Sequence, residues 1–396
     1  MSDEATFSAA VAASPDDDLP RLVFADWLDD RGESERAEFV RAQVQCAATP
    51  AWEPFAVYCR HRRPEWTTGD PWRTTLPWVQ GWAVEWHPDR AFRRGFGHSL
   101  LIRDMTAFLA DAPRLFDAAP IDELHLPTAT LDQWRAFGRA KWLPRVKSVH
   151  FYGTTTPIEP VRVLCESPLA TGIEEIVFEV CSRPGMPVLL EGLFESELGR
   201  RLKSLELRSG PEDPNDLFAA FAAPEALPSL ARISFVRMNF ADRYNLIHVR
   251  NRVEGLVSVS LDTCTDSLDV GRYWMRWREL RQLMLERSDL GRWLNSAGSE
   301  TNAPHPSFPR TIRSFRLRAS QLADAGTDWI RLSKTWPHLT ELDLRDNRIT
   351  DTGAKHLLAA PVPPDLTALL LGGNPISDDV RTKLRRHFGP AVLFDE

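Results

Sequence analysis

The sequence predicts an α/β solenoid, in which short parallel strands alternate with returning helices behind a small acidic helical cap. Three observations carry this. An apolar-x-x-apolar-x-apolar triple recurs ten times between Ile121 and the copy that begins at Leu366, at steps of 24 to 32 residues. The last two copies, LTELDLRDNRI from Leu339 and LTALLLGGNPI from Leu366, share L-x-x-L-x-L-x-x-N-x-I at an offset of 27 residues. The acidic excess is also local. Residues 1–60 carry twelve acidic and five basic groups against a net charge of -7 for all 396 residues, so the rest of the chain is balanced.

The ten triples are Ile121/Leu124/Leu126, Val146/Val149/Phe151, Ile173/Ile176/Phe178, Leu202/Leu205/Leu207, Leu230/Ile233/Phe235, Leu256/Val259/Leu261, Leu280/Leu283/Leu285, Ile312/Phe315/Leu317, Leu339/Leu342/Leu344 and Leu366/Leu369/Leu371. The last two apolar positions of each are two apart, so both point to one face of a short strand, which becomes the interior. The return is long enough for a helix of two or three turns. Leu357 and Leu358, and Val380, Leu384 and Phe388, show helical spacing there. The expected form is a horseshoe with a parallel concave sheet and convex helices.

Asn347 and Asn374 follow the last two strands, where an asparagine amide can satisfy backbone groups that a tight bend leaves unpaired. The matching positions of other copies, such as Gly210 and Met238, are degenerate. The longest step contains NSAGSETNAPHPSFP, residues 295–309, which reads as an extended loop and a candidate binding element.

Before the repeats, residues 1–45 predict three short helices. Phe7, Ala10 and Val11 line the first. Leu19, Leu22, Val23 and Trp27 fall on one side of the second, with Gly32 as its C-terminal stop, and Phe39 and Val40 face inward from the third. Such a segment would cover the exposed apolar flank of a terminal repeat. Residues 46–95 form a tryptophan-rich connection, and 96–396 the repeats. Asp26, Asp29 and Asp30 lack the alternation of a calcium loop and read as a solvated acidic face.

Several function classes recede. The N-terminus has neither the basic nor the apolar region of a signal peptide, and no run of 18 apolar residues suggests a membrane span. The five cysteines are scattered, as in a reduced cytoplasmic protein without a disulfide or zinc framework. No metalloprotease, P-loop, nucleophile-elbow or dinucleotide motif is present, so neither enzymatic activity nor a cofactor is expected. The balanced charge after residue 60 argues against nucleic acid, despite the late arginines.

The expected function is a non-catalytic scaffold that binds an unidentified protein through its concave strand face. The contact candidates are Tyr152, Glu179, Arg208, Asp262, Glu286, Arg316, Arg318 and Arg345. An alternative, an enzyme or a metal-dependent recognition arm, uses His125 and His150, which occupy the same outward position of adjacent strands and stand about 5 Å apart. Two imidazoles at that distance can share a metal or pass protons, with Glu123 and Glu175 nearby, but a third ligand is not evident from the spacing.

The phrase LDLRDNRITDTGAKHL resembles the leucine-rich repeat family, nearest its long ribonuclease-inhibitor-like subclass. DDDLPRLVFADWLDDRGESERAEFVRAQ, residues 16–43, resembles the repeat-companion domain that precedes degenerate leucine-rich repeats in planctomycete and myxobacterial proteins. HRRPEW, residues 61–66, is similar to the segment that follows it. AFRRGFGHSLLI, residues 91–102, is similar to that family's first strand, with Ser99 in place of the usual apolar residue. The likeness implies a bacterial source and this architecture, and no particular activity.

Overall fold

The computed structural model describes residues 3–69, 71–72, 84–152, 158–179, 186–208, 221, 227–238, 255–264, 277–288, 294 and 308–394. The chain divides into two compact units. The first comprises Met1–Ala51, Tyr58–Val180 and Ser196–Leu198, and the second Trp52–Val57, Cys181–Glu195 and Gly199–Glu396.

Helices α1 (Asp3–Ala13), α2 (Leu19–Asp30), α3 (Ser34–Ala48), α4 (Pro54–Arg62) and α5 (Pro64–Thr68) come first. The first unit continues with strands β1 (Val84–Trp86), β2 (Phe92–Arg93), β3 (Phe96–Gly97) and β4 (Ser99–Ile102). Three more strands, β5 (Glu123–Leu126), β6 (Ser148–Phe151) and β7 (Glu175–Phe178), alternate with α6 (Met105–Ala118), α7 (Leu131–Gly138) and α8 (Ile158–Glu166). Strands β4 to β7 pair in parallel and in chain order, while β1 pairs antiparallel with β4 and β2 with β3.

After α9 (Met186–Glu195) and α10 (Glu197–Arg201), the second unit carries β8 (Ser204–Arg208), β9 (Arg232–Val236), β10 (Ser258–Asp262), β11 (Gln282–Glu286), β12 (Ser314–Arg316), β13 (Glu341–Asp343), β14 (Ala368–Leu370) and β15 (Val392–Leu393). All are parallel and in chain order. Helices α11 (Asp324–Leu332), α12 (Asp351–Leu358) and α13 (Asp378–Phe388) supply the late returns. The returns after β8 to β11 lie largely outside the described residues, as do 295–307 of the expected loop 295–309. This is an α/β architecture with a mostly parallel, multi-stranded sheet flanked by helices, repeating one strand per step.

Each of the ten triples supplies one strand. Leu205, Ile233, Val259, Leu283, Phe315, Leu342 and Leu369 align in register and are all buried. Full burial of such a side chain is worth about 2 kcal/mol. This row therefore explains why the triple persists where the rest of the repeat has drifted.

In the second unit the bend after strands β9 to β14 follows one plan. The residue two past the last apolar position has a left-handed backbone in six successive repeats: Arg237, Thr263, Arg287, Ala319, Asp346 and Gly373. Only the last is glycine, although other residues are strained in this region. The strain is offset by the ladder that the bend continues. The amides of Arg237, Thr263, Arg287, Ala319 and Asp346 each donate to a carbonyl of the following repeat at 2.8–2.9 Å.

One residue further, a side chain reaches back to the preceding repeat. Asn374 Nδ2 donates to the Leu344 carbonyl at 2.8 Å, Asn347 Nδ2 to that of Leu317 at 2.7 Å and Ser320 Oγ to that of Leu285 at 2.7 Å. The Cys264 thiol approaches the Phe235 carbonyl at 3.4 Å. Asn347 also accepts from the Ser320 and Leu322 amides, each at 3.0 Å. Ser320 and Cys264 thus make the reach of the asparagines with fewer bonds, while Ser288 donates to Ser320 Oγ at 3.3 Å instead and the buried Met238 has no donor to offer.

In the first unit, α1 to α3 pack on the β2–β3 hairpin and the following repeats. Phe24 meets Phe96 at 5.3 Å between centroids, and the Gly95 amide donates to Gln43 Oε1 at 2.7 Å. Gly95 has φ +80°, and a Cβ there would lie 2.9 Å from Val40 Cα, so the close approach requires glycine. Arg145 donates to the Ala12 carbonyl at 3.0 Å, and Lys147 pairs with Asp16.

Two expected faces differ in the structure. On α2 the interior takes Arg21, Phe24, Ala25 and Leu28, while Leu19, Leu22 and Val23 are exposed and Trp27 is half-buried. The helix has two apolar stripes, and the buried Arg21 decides between them. Its guanidinium donates to the Asp17 and Pro15 carbonyls at 2.6 and 2.9 Å, bonds that no hydrophobicity pattern encodes. On α1, Val11 and Ala12 are buried and Ala10 is exposed. On α3, Phe39 and Val40 are buried, and Gly32, with φ +81°, ends α2 as expected.

Strand β4 also sits one residue out of the expected phase. Leu100 and Ile102 are the inward pair, because Ser99, Leu100 and Leu101 align with Glu123, Leu124 and His125. A one-residue slip exchanges the faces of a strand, so Ser99 moves to the outward row.

In the second unit, the outward residues Ala368 and Leu370 are buried beneath Val57, and Thr340 Oγ donates to the Trp52 carbonyl at 2.6 Å. The stretch Trp52–Val57 thus covers this part of the sheet. Among the described residues, no helix is long and apolar enough to cross a membrane.

The side-chain ladder makes a direct prediction. Asn347→Ala removes this partner from the Ser320 and Leu322 amides and the Leu317 carbonyl, while the Leu344 and Arg345 carbonyls keep Asn374 Nδ2 and the Ala319 amide, and should lower unfolding stability by about 3 kcal/mol, against about 1 kcal/mol for Ser320→Ala. Urea titration monitored by tryptophan fluorescence measures both, and equal losses would contradict the graded ladder.

Candidate functional site

The outward row of the first unit concentrates polar chemistry. Glu123 and His125 alternate on β5, so both point to one face, and β6 places Ser148 and His150 directly beside them. Glu123, His125, Ser148 and His150 are all buried. The His125 and His150 rings lie 4.1 Å apart between centroids, and His87, just after β1, stacks on His125 at 4.2 Å. His87 is held there because its amide donates to the Ser99 carbonyl at 3.0 Å, while its Nδ1 accepts from the Asp89 amide at 3.2 Å.

Glu123 is the hub. Its Oε1 accepts from Ser99 Oγ at 2.8 Å and stands 2.9 Å from His125 Nε2 and 3.9 Å from His150 Nε2. The other oxygen lies 3.7 Å from Arg90. His150 Nε2 is also 3.0 Å from Ser148 Oγ and 3.9 Å from Glu175. Burial by itself would raise the Glu123 carboxyl, but the His125 hydrogen bond and the charges of His98, His150 and Arg90 outweigh it and hold the group well below the usual carboxylate range. Burial, followed by the adjacent His125, pushes His87 down to about 4, so its ring is neutral near pH 7. Beside this cluster, His98 Nδ1 pairs with Asp122 at 2.7 Å.

One ligand atom each from Glu123, His125 and His150 lies within 4.8 Å of the others, the one such group of three among the described residues. The third group was readable in principle, since Glu123 shares a strand face with His125. His87 and Ser99 were not, because their places depend on the antiparallel β1 and on the slipped phase of β4.

Three contact candidates of the second unit, Arg208, Asp262 and Glu286, share one row with Val236 across β8 to β11, and all four are half-buried. Arg208 pairs with Glu206 at 2.5 Å and Asp262 with Arg287. Arg316 stands in the neighbouring row, beside Met284 and Asp343. Its Nε donates at 3.0 Å to Glu341, which is fully buried and also accepts from Ser314 Oγ at 2.5 Å. Arg345 clasps the buried Asp343 at 2.7 and 3.0 Å. Arg318 pairs with the exposed Asp346 at 2.7 Å. In the first unit, Tyr152 donates its hydroxyl to the Ile102 carbonyl, and Glu179 is half-buried beyond the end of β7.

A family model described as leucine-rich repeat matches residues 337–358. Among solved structures, the chain is similar to a Bacteroides fragilis protein from a structural genomics programme at 13% identity and a TM-score of 0.37, over 71% of this chain and 76% of that one. It is also similar to a leucine-rich repeat protein of Leptospira interrogans at 13% identity and a TM-score of 0.31, over 70% and 84% of the two chains. No curated protein matches the chain. The likeness to leucine-rich repeats is distant and partial.

The two arginine environments separate structural from surface roles. Arg316→Glu places a second carboxylate on buried Glu341 and should cost about 3–5 kcal/mol of stability. Arg318→Glu, at an exposed pair, should cost no more than about 1 kcal/mol. Chemical denaturation of both variants tests this, and comparable losses would mean that burial does not set the energetics of the row.

Proposed function

We propose that the protein is a non-catalytic interaction scaffold that binds a protein partner across its strand face, the concave side of a leucine-rich-repeat horseshoe. The observation that carries this is the half-open face of β8 to β11. Glu206, Ser234, Ser260 and Met284 form one in-register row and Arg208, Val236, Asp262 and Glu286 the next, with every member half-buried. Four strands at about 4.8 Å spacing present an ordered surface of both charge signs and two apolar side chains. Rigid, mixed surfaces of this kind discriminate partners at little ordering cost.

In this reading residues 1–45 are a repeat-companion cap, 46–95 a connecting segment and 96–396 the solenoid, in a bacterial cytoplasmic protein. Tyr152, Glu179, Arg208, Asp262, Glu286, Arg318 and Arg345 are contact candidates. Arg316 serves mainly to neutralise Glu341. Further along the same face, Ala368 and Leu370 lie beneath Val57, which directs a partner toward β8 to β12. The repeat-turn residues Asn347 and Asn374 are structural.

The test is affinity capture from lysate with mild crosslinking, comparing wild type with Met284→Lys/Glu286→Lys. These substitutions alter half-exposed side chains and should cost at most about 1 kcal/mol. A specific protein retained by wild type and lost by the folded variant is the expected outcome. Equal capture by both would remove this face from the proposal.

A further inference from the structure

We infer that Glu123, His125 and His150 form a binding site for one divalent transition-metal ion of the zinc class. This inference is independent of the scaffold reading, since its residues are not among those of the β8–β11 face.

The same strand position is treated differently elsewhere in the molecule. In three places a serine donates to the aligned residue of the next strand: Ser99 to Glu123 at 2.8 Å, Ser258 to Gln282 at 3.1 Å and Ser314 to Glu341 at 2.5 Å. Gln282 is neutral, and Glu341 is neutralised by the Arg316 guanidinium at 3.0 Å. Glu123 has no such clasp, because Arg90 stands off at 3.7 Å and is itself half-exposed. Its direct neighbours are two buried imidazoles. The groups that meet this buried carboxylate are thus imidazoles, which can take up a metal ion as well as a proton. A divalent cation held jointly by the carboxylate and the two imidazoles would sit between them with its charge matched.

The donor set favours a particular chemistry. Two imidazoles with one carboxylate suit zinc-class ions, whereas magnesium and calcium prefer all-oxygen shells. Ligands of a zinc ion lie about 2.0–2.2 Å from the metal. The Glu123 oxygen stands 2.9 and 3.9 Å from the two Nε2 atoms, and all three ligand atoms fit within 4.8 Å, so small side-chain rotations suffice. Adjacent strands in fixed register hold both histidines, and Ser99 Oγ orients the carboxylate. Coordination through His125 Nε2 requires the ring proton on Nδ1, so the Nε2–Glu123 hydrogen bond gives way to a shared metal ion. Three protein ligands leave a fourth position for an exchangeable group.

The test uses the full chain, stripped by chelator and titrated with Co2+, then with Zn2+ in competition, and with Mg2+ and Ca2+ for comparison. The expected result is one equivalent of Co2+ with the visible absorption of a four-coordinate nitrogen and oxygen site, displaced by Zn2+ and unaffected by Mg2+ or Ca2+. His125→Asn, His150→Asn and Glu123→Gln, each checked for folding by circular dichroism, should weaken binding by at least about 100-fold, and Ser99→Ala by about 10- to 100-fold. X-ray absorption on zinc-loaded wild type, which needs no variant, should show imidazole and oxygen ligands without sulfur. No stoichiometric Co2+ binding, sulfur ligation from the chain's thiols, or unchanged affinity in a folded His150→Asn protein would each overturn the inference.

Discussion

The bend that follows strands β9 to β14 is the constraint on which the stack of the second unit depends. A chain that leaves a parallel sheet after three to five residues must turn sharply, and the turn strips backbone groups of their partners. Here one left-handed residue makes the turn, its amide extends the ladder to the next repeat, and the following side chain reaches back to the previous one. These bonds run both ways along the stack, so each repeat is specified by its neighbours. That is why a bend of arginine, threonine or alanine survives where an isolated turn would select glycine.

With the bends secured, the two faces of the sheet do different work. The inward face is a continuous row of aliphatic and aromatic side chains and carries the hydrophobic stabilisation. The outward face carries the chemistry, and it is unexpectedly buried in places. Glu341 and Asp343 are closed in by arginines, Ala368 and Leu370 lie under Val57, and Glu123 is enclosed by histidines. One strand position therefore yields a neutralised structural ion pair in one unit and an imidazole-rich carboxylate site in the other. The difference lies in which residue the neighbouring strand presents.

Much of this was legible in the amino-acid order. The apolar triple marked ten strands because inward burial tolerates little else. Asn347 and Asn374 marked the bend, and Gly32 the end of α2. The adjacency of His125 and His150 followed from strand phase. The errors have equally physical causes. On α2 two apolar stripes compete, and buried Arg21 prefers backbone carbonyls to solvent. At β4 a single residue of slip turned Ser99 from an unusual core residue into a donor to Glu123. Ser320 and Cys264, which continue the asparagine ladder, read as degenerate because a hydroxyl and a thiol reach the equivalent carbonyls with less capacity than a carboxamide.

The sequence by itself determined the repeat, its strand spacing, the inward face and the pairing of neighbouring strands in chain order. All of these follow from local periodicity and burial, which act over a few residues. Only the tertiary structure decided which outward groups are open and which are enclosed. It closed Val57 over Ala368 and Leu370, placed Arg316 on Glu341, and brought His87 and Ser99 to the pair of histidines. Those contacts join residues far apart in the chain through hydrogen bonds and charge, and their energies depend on distance and desolvation, quantities that a one-dimensional pattern does not contain.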